Sequence, residues 1–253
     1  MMNLLNHFNR KNKFLFINGL IGLILIIVAS YIPENKQTFS PPELQKAAKI
    51  MEKSLDIISS YCRKNNININ EIYDPFNTGL IGSEISEITT TTGHLEAKRT
   101  TINPNFAALI VNLLIEAGVN NGDTIALGCS GSFPALLIAS LSAAKAMNLN
   151  SRVILSIGSS SYGATNINFT LLDIYNLILD NNIVDSKPIA VSLGGENDVG
   201  KEFEEDIVKT IKSKIQSNGI PFIYEKNLQS NVLKREALYF TTKNIDIKAF
   251  INS

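Results

Sequence analysis

Small residues frame a serine in the segment Gly128-Cys129-Ser130-Gly131-Ser132, which follows a short apolar run and precedes a helix opened by Pro134. This nearly spells G-x-S-x-G, a sharp strand-to-helix turn that presents a serine hydroxyl beside backbone N–H groups able to hold an oxyanion. A serine nucleophile needs a base. Beyond residue 33 the chain offers one histidine, His94, which precedes the serine, whereas the histidine serving such an elbow usually comes last. On the nucleophilic reading Ser130 attacks, His94 is the base, Glu96 orients it, and the Gly131 and Ser132 N–H groups form the oxyanion hole. The other reading is favoured by that reversed order: Ser130, Gly131 and Ser132 bind an anion at a helix N-terminus, through oriented N–H groups and the helix dipole.

Two further loops have the same character, Gly158-Ser159-Ser160-Ser161-Tyr162-Gly163 and Gly194-Gly195-Glu196-Asn197-Asp198-Val199-Gly200. Each follows an apolar run that reads as a strand. Ligands of an open parallel sheet bind at the carboxyl ends of its strands, so Gly128, Ser159, Ser160, Ser161, Gly194 and Gly195 join the candidate ligand-binding residues. The third loop approaches a P-loop, but Glu202 follows Lys201 where Ser or Thr should hold magnesium; it reads as a ligand-ordering turn, and no nucleotide or other cofactor is expected. Thr89 to Thr100 concentrates hydroxyls, His94, Glu96, Lys98 and Arg99 in twelve residues. Lys98 and Arg99 there are candidate carboxylate clamps, against the plainer reading of a solvated connection. No His/Cys/Asp/Glu set has metal-ligand spacing, so no metal is expected.

The elements that must position these loops are readable. Ser40-Pro41-Pro42-Glu43 has the form of a capping box, and Leu44, Ala47, Ala48, Met51, Leu55, Ile58 and Cys62 recur at helical spacing after it. Strands are expected over 81–92, 124–127, 153–157, 189–193 and 222–224. Helices are expected over 103–117, 134–147, 169–180, 201–217 and 231–242. The alternation predicts an α/β fold in three layers, a mostly parallel sheet with helices on both faces. Cys62 and Cys129 are too few to define a disulfide framework.

Residues 14–32 form an apolar run of nineteen without a charge, preceded by Arg10, Lys11 and Lys13. As a helix it is about 28 Å long, the thickness of a bilayer's hydrocarbon core. Cationic flanks stay inside. The expected organisation is therefore a cytoplasmic N-terminus (1–13), a single-pass transmembrane signal anchor (14–32), a spacer (33–40) and an extracytoplasmic domain (41–253). A cleaved signal peptide and a buried core helix are the alternatives. Without the three basic residues of the flank, 20 Lys and Arg face 23 acidic residues, a net of about −3, which is not the footprint of a nucleic-acid binder.

The stretches IGSEISEITTTTGHLEAKRTTINPNFAAL, GCSGSFPAL, GSSSYGAT and SLGGENDVG occur in that order between Ile81 and Gly200. Together they resemble the poly-γ-glutamate system proteins, bacterial proteins associated with the machinery that makes and exports a poly-γ-glutamate capsule or surface polymer. The resemblance implies a role in that process at the cell envelope and supplies no catalytic residues. Its expected partners are the polymer, the membrane-bound synthase components and, through residues 14–32, the lipid bilayer. The expectation is an accessory protein that binds or guides the anionic polymer outside the cytoplasmic membrane. A serine-type hydrolase or transferase acting on γ-glutamyl amide bonds and a structural subunit of the synthase complex are the alternatives.

Overall fold

β-Branched apolar runs separated by glycine, asparagine and amphipathic stretches generate an alternating chain of strands and helices. The computed structural model describes residues 18–24, 41–241 and 245–253, and the chain divides into two units, Met1–Ser40 and Pro41–Ser253. In the first, residues 18–24 are helical; the rest of the apolar run, and with it the transmembrane anchor, lies outside the described residues. Among the described residues no helix is long and apolar enough to cross a membrane.

The second unit begins with α1 (Pro42–Lys64), whose N-cap is Pro41 without a side-chain cap; the expected Ser40 cap lies outside the described residues. Ala47, Met51, Ile58 and Cys62 form its buried stripe, each large apolar side chain worth about 2 kcal/mol on burial. Next come β1 (Thr89–Thr91), α2 (Leu95–Thr101), α3 (Asn105–Glu116), β2 (Thr124–Ser130), α4 (Pro134–Ala146), β3 (Asn150–Ser156) and β4 (Ser159–Ser160). The chain continues through α5 (Leu171–Asp180), β5 (Ala190–Ser192), a 3₁₀ turn (Glu196–Asp198), α6 (Glu205–Ser217), β6 (Phe222–Ile223), α7 (Leu228–Tyr239) and β7 (Ile247–Asn252). The main sheet has the order β6-β5-β3-β2-β7 with every pair parallel, and β1 pairs with β4 in a separate two-stranded ribbon.

Alternate strand residues serve two cores. Ile125, Leu127, Cys129, Val153, Leu155 and Val191 join the large cluster built with α1, α3, α4 and α5. Ala126, Ile154, Ala190 and Ile223 face the other way, onto Tyr239 and Leu238 of α7. The α/β class with a parallel sheet and helices follows, but its two outer layers are unequal.

Three expectations need correction. The strand expected over 81–92 shrinks to β1, because nearby side-chain hydroxyls and the distant Gly163 carbonyl engage its backbone in place of a strand ladder. The Ser86 N–H donates to Thr89 Oγ1, Ile88 N–H to Ser86 Oγ, and Gly82 N–H to the Gly163 carbonyl. The solvated connection after it contains the helix α2. The expected last helix is followed by a further strand, β7, in which Ile247, Ala249 and Ile251 are half-buried and Lys248, Phe250 and Asn252 exposed.

Candidate functional site

Parallel strands that end level put their last side chains side by side. The register pairs Ser130 of β2 with Ser156 of β3, and Ser156 with Ser192 of β5. Side chains alternate along each strand, and the neighbouring residues Ala126, Ile154 and Ala190 pack toward α7. All three serines therefore stand on the α7 side, as a row of hydroxyls at the carboxyl edge of the sheet.

Arg235 reaches across this row from α7. Its Nη2 donates to Ser192 Oγ (2.7 Å), Ser156 Oγ (3.1 Å) and Asp198 Oδ2 (2.7 Å), and its Nε donates to Asn231 Oδ1 (2.8 Å). Asn231 Nδ2 donates to Asp198 Oδ2 in turn (2.7 Å). The other Asp198 oxygen accepts from Ser192 Oγ (2.7 Å) and from the Gly194 N–H (3.1 Å). Asn197 and Asp198 sit at φ 56° and 65°, a left-handed backbone that the surroundings must hold; four hydrogen bonds to the Asp198 carboxylate, and one from its own N–H to the Gly195 carbonyl (3.0 Å), do so. Among the described residues nothing accepts from Arg235 Nη1. A cleft of about 590 Å³ opens there, lined by Gly128, Ser130, Ser156, Arg235, Phe240 and Phe250 among others. Phe250 stands edge-on to Tyr239 at 5.7 Å, and the Tyr239 hydroxyl donates to the Leu127 carbonyl (2.7 Å).

The three glycine- and serine-rich loops do meet at this edge, and they meet backbone to backbone. The Gly131 N–H donates to the carbonyls of Ser156 (3.0 Å) and Gly158 (3.1 Å), and the Gly158 N–H to that of Leu193 (2.7 Å). Most of their serines bind the protein itself. Ser159 Oγ donates to the Gly131 carbonyl (2.9 Å), Ser132 Oγ accepts from the Ser160 N–H (3.0 Å), and the Ser161 N–H donates to the Thr91 carbonyl (2.9 Å). Gly194 and Gly195 take φ values of 80° and 72°; the turn they open is filled by the Asp198 carboxylate. Of the residues marked out for ligand binding, Gly128 and Ser130 line the cleft.

Ser130, His94 and Glu96 are not joined by hydrogen bonds. The Ser130 hydroxyl lies 3.3 Å from the Ser253 main-chain oxygen and accepts weakly from the Ser132 N–H (3.4 Å), and Ser130 lacks the positive φ of a strained elbow. His94 is exposed at the start of α2. Glu96 pairs with Arg99 (2.6 Å), whose guanidinium also donates to the Tyr73 and Ile72 carbonyls, so Arg99 clasps a loop. Lys98 is 3 % exposed. Its ammonium donates to the Ser132 carbonyl and to Ser160 Oγ (2.7 Å) and sits 3.5 Å from the centre of the Phe133 ring. Burial pushes it down to about 8 from its usual 10.5. Cys62 and Cys129 are buried free thiols, each raised to about 11 chiefly by burial.

Ser156, Ser192, Asn231 and Arg235 escaped the sequence reading, although each carried a signal. Three successive apolar strands end in Ser (LGCS, VILS, AVS), and Asn231, Arg235 and Tyr239 recur every four residues along one face of α7. Set against protein-family models, curated proteins and solved structures, the chain finds no match in any of the three.

Proposed function

We propose that the chain is an accessory protein of poly-γ-glutamate production, anchored in the cytoplasmic membrane through residues 14–32, whose α/β domain holds the polymer's carboxylates outside the membrane. The resemblance of the segments between Ile81 and Gly200 supports the polymer as partner. The observation that carries the reading is Arg235: its guanidinium is fixed by Ser156, Ser192, Asn231 and Asp198, its Nη1 meets no acceptor among the described residues, and Arg235 and Ser130 both line the cleft. A planar cation with spare donors, flanked by hydroxyls, suits a carboxylate, and its rigidity lowers the entropic cost of binding. A domain of net negative charge then needs this local site to meet a polyanion.

Calorimetric titration of the full chain in nanodiscs with γ-linked glutamate oligomers tests this. Binding that weakens with added salt, and a loss of about tenfold or more in Arg235→Gln with its fold intact by circular dichroism, is the expected result. Equal affinity in the variant would overturn it. Absence of oligomer binding in the wild type, with co-purification of the membrane synthase, would favour the structural reading instead.

A further inference from the structure

The cleft that Arg235 lines runs between α7 and the edge strand β7, and it sorts charge and hydrocarbon by depth. The Arg235 side chain is only 22 % exposed. Val232, Phe240 and Phe250 on the same lining are each more than half exposed. Among the described residues the one other charged side chain on the wall is Glu236, an exposed anion next to Arg235 on α7. The strand side offers Gly128, without a side chain, and the hydroxyls of Ser130 and Ser156. With Arg235 as the carboxylate site of the proposed function, on which this rests, we infer that the cleft takes a single carboxylate at the end of an unbranched run of methylenes. In poly-γ-glutamate that group is the chain terminus, not the carboxylates along its length.

A groove that tracks a polyanion repeats its cations along the path, because every carboxylate taken out of water needs its own donors. This cleft has one guanidinium, with an anion beside it. A second carboxylate at the mouth would meet Glu236 and two aromatic rings, losing water and gaining no donor. Methylenes in the same place do the reverse. They cover Phe240 and Phe250, and each one fully buried raises affinity by up to about fourfold, the equivalent of about 0.8 kcal/mol.

The covalent structure of a γ-linked chain divides its carboxylates into the same two kinds. Each internal residue has its γ-carboxyl in the amide link, so its free carboxylate hangs directly on a main-chain carbon that also bears the amide nitrogen. Bringing that carboxylate to a largely buried guanidinium would carry the amide into the apolar mouth, where an unpaired polar group is costly. The last residue alone keeps a γ-carboxylate, carried on two methylenes. That group reaches inward while its hydrocarbon lies between the rings and the rest of the chain stays in water.

Two titrations of the full chain in nanodiscs test this. The first compares γ-linked glutamate oligomers of about four and about twelve residues at high salt, which screens the long-range attraction of the longer anion. Both should bind one to one with equal affinity per molecule, and amidation of the terminal γ-carboxyl should weaken binding about tenfold or more. A longer oligomer bound about threefold tighter, in proportion to its internal carboxylates, overturns the inference and leaves the polymer as ligand. So does an amidated oligomer bound as well as the free acid. The second titration follows acetate, butanoate and hexanoate by ligand-observed NMR and needs no polymer. Affinity should rise about tenfold or more from acetate to hexanoate, and the rise should flatten in Phe250→Ala. A flat series in the wild type overturns the inference whatever the oligomers do. A rising series without oligomer binding sustains it and removes the polymer.

Discussion

A buried ammonium that meets no carboxylate among the described residues and a carboxylate with five donors are opposite solutions to one problem, the cost of taking charge out of water. Asp198 solves it by saturation, accepting from Ser192, Gly194, Asn231 and Arg235, with Ser156 Oγ at 3.4 Å as a weaker contact. Lys98 solves it by becoming easier to neutralise. The consequence is a signed dependence of stability on pH. Below about 8 the folded chain carries a buried charge that the unfolded chain solvates, and folding bears that cost in full. Between about 8 and 10.5 the folded state has released this proton and the unfolded state has not, so stability rises with pH in that window. The buried thiols act in the other direction: Cys62 and Cys129 keep their protons to about 11 against an ordinary 9, which lowers stability as pH rises between those values. The contribution of Lys98 is therefore cleanest between about 8 and 9. Urea unfolding at several pH values should show wild-type stability rising over that interval relative to Lys98→Met. Parallel curves would mean that the ammonium is no harder to bury than to leave in water.

Strand ends and loops lock together here because glycine lets three backbones touch. A Cβ on Gly163 would collide with the carbonyl of Gly131 and with Ser159 Oγ, and would lie 2.8 Å from the Ser132 carbonyl oxygen. These are rigid neighbours, so the first and second loops must part. Gly163→Ala should cost about 3 kcal/mol and lower the melting temperature by about 6–10 °C. Ser161→Ala, which removes only a hydroxyl 3.5 Å from its acceptor, should cost less than about 1 kcal/mol. A tolerated alanine at 163 would mean that the loops do not need to meet. The convergence itself was legible, because runs such as Thr124–Leu127 and Val153–Ile157 alternate with helices, and a parallel sheet brings every strand-to-helix loop to one edge. What those loops do there was not. A serine in a tight turn satisfies a neighbouring carbonyl as readily as a ligand, and only the three-dimensional partner of Ser159, or of Ser132, distinguishes the two. β7 was obscured for another reason: IKAFIN is short, carries one lysine, and alternates only weakly between half-buried and exposed positions. α2 hid behind four threonines and a glycine, residues that read as connection.

Seen across the whole domain, the two faces of the sheet are unequally defended, and the weaker one carries the cleft. On one side α4 is buried nearly all round, eleven of its thirteen residues, beneath α1 and α3. On the other, α7 buries only Asn231 and Tyr239 while Leu228, Val232, Leu233 and Phe240 remain exposed. Local opening costs roughly the contacts it breaks, so α7 should detach at a free energy well below that of global unfolding. Yet α7 carries Asn231 and Arg235, which fix the cleft, and Tyr239, which seals the second core. A ligand bound at Arg235 must therefore stabilise α7 before anything else, since it adds contacts to the state in which the helix is docked. Hydrogen–deuterium exchange resolved by peptide should show fast exchange over 228–239 and slow exchange over 134–146 in the free chain. Saturating γ-linked glutamate oligomer should slow the first segment and leave the second unchanged. Equal protection of the two helices would refute the unequal layering as a source of motion, and ligand protection confined to other segments would move the binding site away from α7.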